Sequence, residues 1–516
     1  VNAAPDANFP TVPWLDARAR QTPDALALTD GVRSWTYAEL AREVGGLSAR
    51  LAGAVGPDGR VALLGANSAA YVLWLAAAQE LGIETVPLNV RLAAPELGAQ
   101  LADCAPDLLL CDRAHAERGR QAAAGSQVRL ATFDEARAWD ALDAAVLAAR
   151  KPTRYEPDRV TTVMYTSGST GTPKGVLQTY ANHACSARQC QDNLGFTVSD
   201  VWGCPTPLFH MSGLSIVMRS LACGVGVRLY GRFDARAVND DLLSGAVTCL
   251  SAVSYQIERL LDDLAERGGA TYPPSLRFVL QGGGPLSLET LRRCGQANMP
   301  VVQSFGMTET ASQVVALSPA NAPLKPGSSG RPLGAVQLRV AALGGPGDEP
   351  VPAGETGRIL LKGPTVATGY LNQPDRYAAS FTEHGWFDTG DLGFVDADGF
   401  LYVQCRLTDL IVSGGENVYP AEVEAALASH PALRGVAVVG LPDPVWGAVA
   451  AAACVCEPHL PRPTLAELRE HCRGRIAGYK CPRALAWVDE LPRTAAGKLR
   501  RAAVQERLAA ATDERV

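Results

Sequence analysis

Apolar residues along the first third of the chain switch repeatedly between a spacing of two and a spacing near 3.6. In "RSWTYAELAREVGGLSARLAGAV" an aromatic strand ends near Trp35, and Thr36 with Glu39 three positions later forms a capping box that opens an amphipathic helix. "RVALLGANSAAYVLWLAAAQELG" gives strand then helix, "ETVPLN" a strand, and "APELGAQLADCAPDLLLCD" a helix and another strand. The alternation predicts an α/β fold of layered sheets covered by helices.

The pattern changes in "LGAVQLRVAALGGPGDEPVPAGETGRILLKGPTVATGYL", where short alternating strands separated by Gly and Pro turns predict a small, largely antiparallel β unit. The hairpin signal "VDADGFLYV" then leads into a polar stretch at Gln404–Thr408. Beyond it a new α/β pattern begins, with helix-like "TLAELREHCRGRIAG" and "RAAVQERLAAATDE" around the strand candidate "ALAWV". The expected organisation is a large N-terminal domain, residues 1–405, followed by a smaller mobile α+β domain, residues 406–516.

Composition narrows the partners. With 516 residues, 47% apolar and 19% charged, the chain can bury more than one core, and a net charge of -6 offers no basic field for nucleic acid or anionic lipid. The most apolar stretch, Ala69–Leu88, is broken by Gln79, Glu80 and Glu84, too short and polar for membrane insertion. "VNAAPDANFPTVPW" shows neither the basic start nor the apolar run of an export signal, so a cytoplasmic enzyme is expected. Thirteen cysteines are scattered from Cys104 to Cys481, and the close pair Cys454 and Cys456 has no further ligands nearby. They read as buried thiols rather than metal ligands or disulfides.

Candidate chemistry starts at "YTSGSTGTPKGV", Tyr165–Val176. A nucleotide-hydrolase loop places Ser or Thr after its lysine to hold magnesium, whereas Gly175 follows Lys174 here, so that pattern is excluded. What remains is the strand "TTVMY" running into a loop with hydroxyls at Thr166, Ser167, Ser169, Thr170 and Thr172, glycines at Gly168 and Gly171, and the cation Lys174. Those groups suit polyphosphate oxygens, although a Ser/Gly-rich surface linker has the same composition.

Together with "QSFGMTET", "GWFDTGDLG", "LIVSGGENVYPAEVE" and "LPRTAAGKLRR", in that order, the loop resembles the adenylate-forming acyl- and aryl-CoA synthetases over essentially the whole chain. The resemblance implies that a carboxylate attacks the α-phosphate of ATP to give an acyl-adenylate and pyrophosphate, after which the thiol of coenzyme A displaces AMP. It implies that the loop from Thr166 to Lys174 covers the β- and γ-phosphates, that Thr308 contacts the α-phosphate, and that Glu309 holds Mg2+. Gly282, Gly283 and Gly284 would border the adenine and acyl pockets, with Phe305 stacking on the base. Asp391 would accept both ribose hydroxyls beside Arg406, and Lys498 would bridge carboxylate and α-phosphate as an electrostatic clamp. The small domain would rotate between the two half-reactions, presenting Lys498 first and "VSGGENVYP" second. Cys405, Thr408 and Ala448 depart from residues common in the family.

The stretch Val176–Gly224, especially "QTYANH", "NLG" and "FHMSGLSIVMRS", is similar to the o-succinylbenzoate-CoA ligases of menaquinone biosynthesis, whose substrate carries two carboxylates. One reacts and the other needs a recognition site. His210, near its ordinary pKa and either cationic or neutral, is a candidate for that site and for gating the second step, with Ser212, Ser254, Gln256 and Gly283 beside it; Arg219 reads equally as a helix-surface residue. A medium-chain or aryl-carboxylate-CoA ligase is the alternative, favoured by a wholly apolar pocket. A carrier-protein-loading domain, an inactive homologue and a luciferase-like oxygenase share the fold, and a homodimer is the candidate assembly.

Overall fold

The computed structural model describes residues 11–166, 173–284, 286–345, 347–473, 475–494, 497–510 and 512–516. The capping box forms as expected. Thr36 accepts the Glu39 N–H, Glu39 reaches back to the Thr36 N–H at 2.9 Å, and helix Tyr37–Ala54 buries Leu40, Val44, Leu47 and Leu51 along one stripe. The apolar run becomes helix Ala69–Glu80, buried from Tyr71 to Glu80, followed by strand Glu84–Leu88. Both helices belong to a core that also takes side chains from two large sheets, such as Val61 and Leu63 of one and Leu28 and Val227 of the other.

The first sheet has seven strands in the order Gly369–Tyr370, Lys174–Thr179, Val160–Thr166, Glu84–Leu88, Arg60–Leu64, Leu108–Cys111, Arg129–Thr132. It is parallel from Val160–Thr166 onward, and the hairpin at its other edge pairs Thr166 with Lys174, so the two ends of the Gly- and Ser-rich loop sit side by side. The nine-stranded second sheet is parallel through Phe278–Gly282 and Val301–Met307, then turns antiparallel at Ser312–Ala316. A four-stranded antiparallel sheet, Gln337–Ala341, Gly357–Lys362, Phe387–Val395 and Leu401–Arg406, forms the small β unit. After the 3-10 turn Leu407–Asp409, a six-stranded sheet begins at Ile411 and carries its own core around Val423, Leu427, Leu468 and Leu485. Nine of the thirteen cysteines are buried and four half-buried. Among the described residues no helix is long and apolar enough to cross a membrane.

Candidate active site

Strand ends from the two large sheets meet at the turn Thr308–Thr310, which follows strand Val301–Met307. From the other sheet, Gln178 Nε2 donates to the Thr308 carbonyl at 2.6 Å, and Lys174 Nζ lies 2.6 Å from Glu309 Oε1. Tyr370 completes this group. It receives Lys174 Nζ at 2.7 Å on its hydroxyl, which in turn donates to Glu309 Oε1 at 3.3 Å. The Glu309 side chain is only 9% exposed, and the buried Thr166 hydroxyl, at the strand end beside Lys174, has no partner among the described residues. An orphan donor next to a half-buried cation is the environment a phosphate oxygen satisfies. Ser167, Gly168, Ser169, Thr170, Gly171 and Thr172 lie outside the described residues.

The backbone beyond the turn is strained: Ala311 and Ser312 have φ of 51° and 111°, left-handed values costly for residues with a Cβ. Ser186 Oγ holds the Ala311 carbonyl at 2.7 Å.

Lys498 reaches this region from the C-terminal part of the chain. Gly283 has φ +84°, and a Cβ there would stand 3.0 Å from Lys498 Cε; Gly497 has φ +80°, and its Cβ would stand 2.9 Å from Val253 Cγ2. Both positions therefore need glycine for close approach as well as for backbone geometry. Arg493 lies over the Tyr255 ring, 5.4 Å from its centroid, on the same approach. Lys498 is exposed to solvent, and protein packs closely against its side chain at Gly283. Desolvation foremost, then Arg406, pushes its pKa below the usual lysine value, against the pull of Asp391 and Glu309.

Asp391 and Arg406 face each other across paired strands, with Arg406 Nε 3.4 Å from Asp391 Oδ1. Burial raises the Asp391 carboxyl from 3.8 to about 6, outweighing Arg406 and Lys498, which lower it. The second carboxylate of the site, Glu309, adds to the rise. Phe305 is half-buried in cross-strand register with Val315, and strand Phe278–Gly282 ends where Gln281 Nε2 donates to the Gly284 carbonyl at 2.5 Å.

His210 occupies the N-cap position of helix Met211–Cys223 without a side-chain cap bond, and among the described residues its buried Nε2 has no partner. The expectation of an ordinary pKa is corrected: burial foremost, then Lys498 and Arg91, lowers it from 6.5 to about 4, so His210 is neutral near pH 7. Ser212 sits in the first turn of the same helix. Ser254 Oγ accepts from Gln281 Nε2 at 3.3 Å, and Gln256 spends its carbonyl on the Val253 N–H at 3.1 Å.

Arg219 overturns its surface reading. It is 1% exposed, with its guanidinium 5.0 Å from the Trp202 ring centroid and bonded to Ser312 Oγ at 2.9 Å and Gln313 Oε1 at 2.5 Å. Among the described residues its Nε has no partner and no carboxylate lies within ion-pair distance. One turn earlier, Ser215 Oγ lies 3.3 Å from Ser312 Oγ, four residues past Thr308. A charged residue inside "SIVMRSLA", apolar on both flanks, was the signal for such a buried cation. Tyr370, by contrast, had no local signal, since only the pairing of its strand with Lys174–Thr179 brings it to Glu309.

The AMP-binding enzyme family model matches residues 15–371, and the model of the AMP-binding enzyme C-terminal domain matches residues 422–498. The chain belongs to the AMP-binding enzyme family. Within this family, the 2-succinylbenzoate–CoA ligase of Geobacillus kaustophilus is 42% identical over 493 residues, 95% of this chain and 96% of that protein. The o-succinylbenzoate CoA synthetase of Bacillus subtilis, in complex with the acyl-adenylate intermediate OSB-AMP, superposes with a TM-score of 0.87 at 37% identity, covering 98% of this chain and 99% of that one. In complex with ATP and magnesium ion the same enzyme gives 0.85, covering 96% and 99%. A double mutant of it bound with the product analogue OSB-NCoA gives 0.72 at 38% identity, with 98% and 99% covered.

Proposed function

We propose that this AMP-binding enzyme is an ATP-dependent ligase that joins o-succinylbenzoate to coenzyme A, releasing AMP and pyrophosphate through an acyl-adenylate. In the first step a carboxylate oxygen of the acid forms a bond to the α-phosphorus of ATP and the bond to pyrophosphate breaks. Lys498, beside Gly283 and within the field of Asp391 and Glu309, would neutralise charge building on the α-phosphoryl oxygens. Thr308 would donate its hydroxyl to the α-phosphate, Lys174 and Thr166 would meet the departing pyrophosphate, and Asp391 would accept the two ribose hydroxyls. Glu309, a buried hard-oxygen ligand, fits Mg2+, which when bound supplies positive charge against the phosphates. Its present partner, Lys174, would then be drawn to the phosphates. In the second step the thiol sulfur of coenzyme A bonds to the acyl carbon and AMP leaves. We take the segment Arg406–Asp409 as the hinge between domains 1–405 and 406–516. The better superposition on the adenylate-bound relative than on the OSB-NCoA complex supports reading this arrangement as the one for adenylation.

The observation that carries the choice of acid is Arg219. A buried guanidinium with no carboxylate partner among the described residues is costly, and an incoming second carboxylate is the group that would satisfy it. A medium-chain acid offers none. Substituting Arg219→Met should lower kcat/KM for o-succinylbenzoate roughly 100-fold, about 3 kcal/mol for a desolvated charge pair. The loss should be below about threefold for an analogue lacking the unreactive carboxylate, as expected when only uniform binding remains. Equal losses for both acids, or wild-type preference for a monocarboxylate, would overturn this substrate.

A further inference from the structure

The strands on either side of the Gly- and Ser-rich loop, Val160–Thr166 and Lys174–Thr179, and the helix Tyr180–Leu194 after them share a hydrogen-bond chain that none of these steps uses. His183, Thr162 and Gln178 are all buried, at 2%, 0% and 0% exposure. Thr162 Oγ lies 2.7 Å from His183 Nε2 and 2.9 Å from Gln178 Oε1, while Gln178 Nε2 lies 2.6 Å from the Thr308 carbonyl oxygen. A single arrangement of protons satisfies all three contacts. The Thr308 carbonyl only accepts, so the amide NH2 of Gln178 must face it and Oε1 must face Thr162. Thr162 then spends its one hydroxyl proton on Gln178, and its oxygen must accept from His183 Nε2–H. The direction of donation runs unbroken from His183 to Thr308, and each bond polarises the next. A neutral histidine fits this position, since burial lowers the His183 pKa from 6.5 to about 3.

The same segment grips the Thr308–Thr310 turn elsewhere. Ser186 Oγ holds the Ala311 carbonyl, and Asn182 Nδ2 donates to the carbonyls of Pro364 at 2.8 Å and Val366 at 3.1 Å. The next residue, Ala367, gives its N–H to the Glu309 carbonyl at 2.8 Å. The turn is followed by two left-handed residues, so its geometry has to be imposed from outside. Among the described residues, apart from Gln178, the Thr308 carbonyl receives only the Ala311 N–H, at 3.2 Å.

We propose that His183, Thr162 and Gln178 form a positioning relay that fixes Thr308 for its contact with the α-phosphate. The inference rests on the adenylate-forming reading above. Each member acts through Thr308 and touches no substrate itself, so the effect belongs in kcat for adenylation rather than in the KM of the acid. In acid-dependent exchange of labelled pyrophosphate into ATP, Thr162→Val, which keeps the side-chain shape but neither donates nor accepts, should lose roughly tenfold in kcat, the scale of a small misplacement at a reacting centre. The KM of the acid should stay within about twofold. Thr162→Ser should restore exchange to within about twofold of wild type, because the hydroxyl is kept. Gln178→Met removes the final donor directly and carries the same expectation if Thr162→Val does not fold. Wild-type exchange in Thr162→Val or Gln178→Met, or equal losses in Thr162→Val and Thr162→Ser, would overturn the relay while leaving the reaction standing. Absence of acid-dependent exchange in the wild-type protein would instead overturn the adenylate-forming reading, and the relay with it.

Discussion

Replacing Asp391 with asparagine should stabilise the unliganded protein at alkaline pH and weaken its hold on ATP. The carboxyl is raised from 3.8 to about 6 by burial, net of the attraction of Arg406 and Lys498. Below 3.8 it is protonated in folded and unfolded chains alike, and the stabilisation from holding a proton in the fold is complete. As pH rises through about 6 the folded protein loses that proton too, and the contribution disappears. Above that range the native state carries a buried charge, a difference of about 3 kcal/mol relative to a carboxyl that stayed protonated. Asparagine has the same size and never ionises. In urea melts without nucleotide, Asp391→Asn should therefore gain up to about 3 kcal/mol over wild type near pH 8, and the gain should shrink towards nothing near pH 4. An amide offers one acceptor oxygen and no charge to two ribose hydroxyls. The Kd for ATP should rise roughly tenfold or more, the usual worth of a hydrogen bond to a charged acceptor. A variant whose stability relative to wild type does not differ between about pH 4 and pH 8 would refute the reasoning, because ionising the buried carboxyl would then carry no penalty. Unchanged ATP affinity would separate Asp391 from the ribose. Opposite signs for stability and binding are expected where a site holds a polar group against its own folding preference.

Lys498→Ala should reduce adenylate formation by more than about 100-fold, the scale for removing a preorganised group that stabilises developing charge, while thioester formation from a supplied acyl-adenylate stays near wild type. Equal loss in both half-reactions, measured by pyrophosphate exchange and by CoA-dependent AMP release, would contradict the assigned step. His210, lowered from 6.5 to about 4, should contribute no ionisation to the kcat/KM profile across neutral pH, and its stabilising contribution, present above 6.5, should fade only as pH drops towards about 4. An inflexion near 6.5 that His210→Asn abolishes would refute its neutral assignment.

What the amino-acid sequence made legible was local. The Thr36–Glu39 cap, the buried run at Ala69–Glu80, the hairpin from Phe387 to Arg406 and the closing helix Arg501–Ala510 all depend on neighbours a few residues apart, and all four form. The strand "TTVMY" leading into the Gly- and Ser-rich loop was legible in the same way, whereas its hairpin pairing, which brings Thr166 beside Lys174, appears only in the structure. Sites made by distant segments were visible only as motifs whose meeting point no spacing specifies. Lys174 and Glu309 are 135 residues apart and lie on different sheets, and their 2.6 Å contact exists because strand Lys174–Thr179 and the turn after Val301–Met307 end at the same edge. Ionisation states were further from reach, since they depend on how much protein surrounds each group. The same residue type can be solvated or desolvated, and only packing separates His210, pushed to about 4, from a histidine on an open surface. Arg219 joins both limits. Its helix reads correctly from "MSGLSIVMRSLAC", but which face meets Trp202 and Ser312 is decided by two strands from elsewhere in the chain. A residue legible as helical yet misplaced between surface and core is therefore the expected error for a lone charge on an otherwise apolar helix. When such a charge is buried without a counter-charge, the missing partner is a reason to look for a ligand.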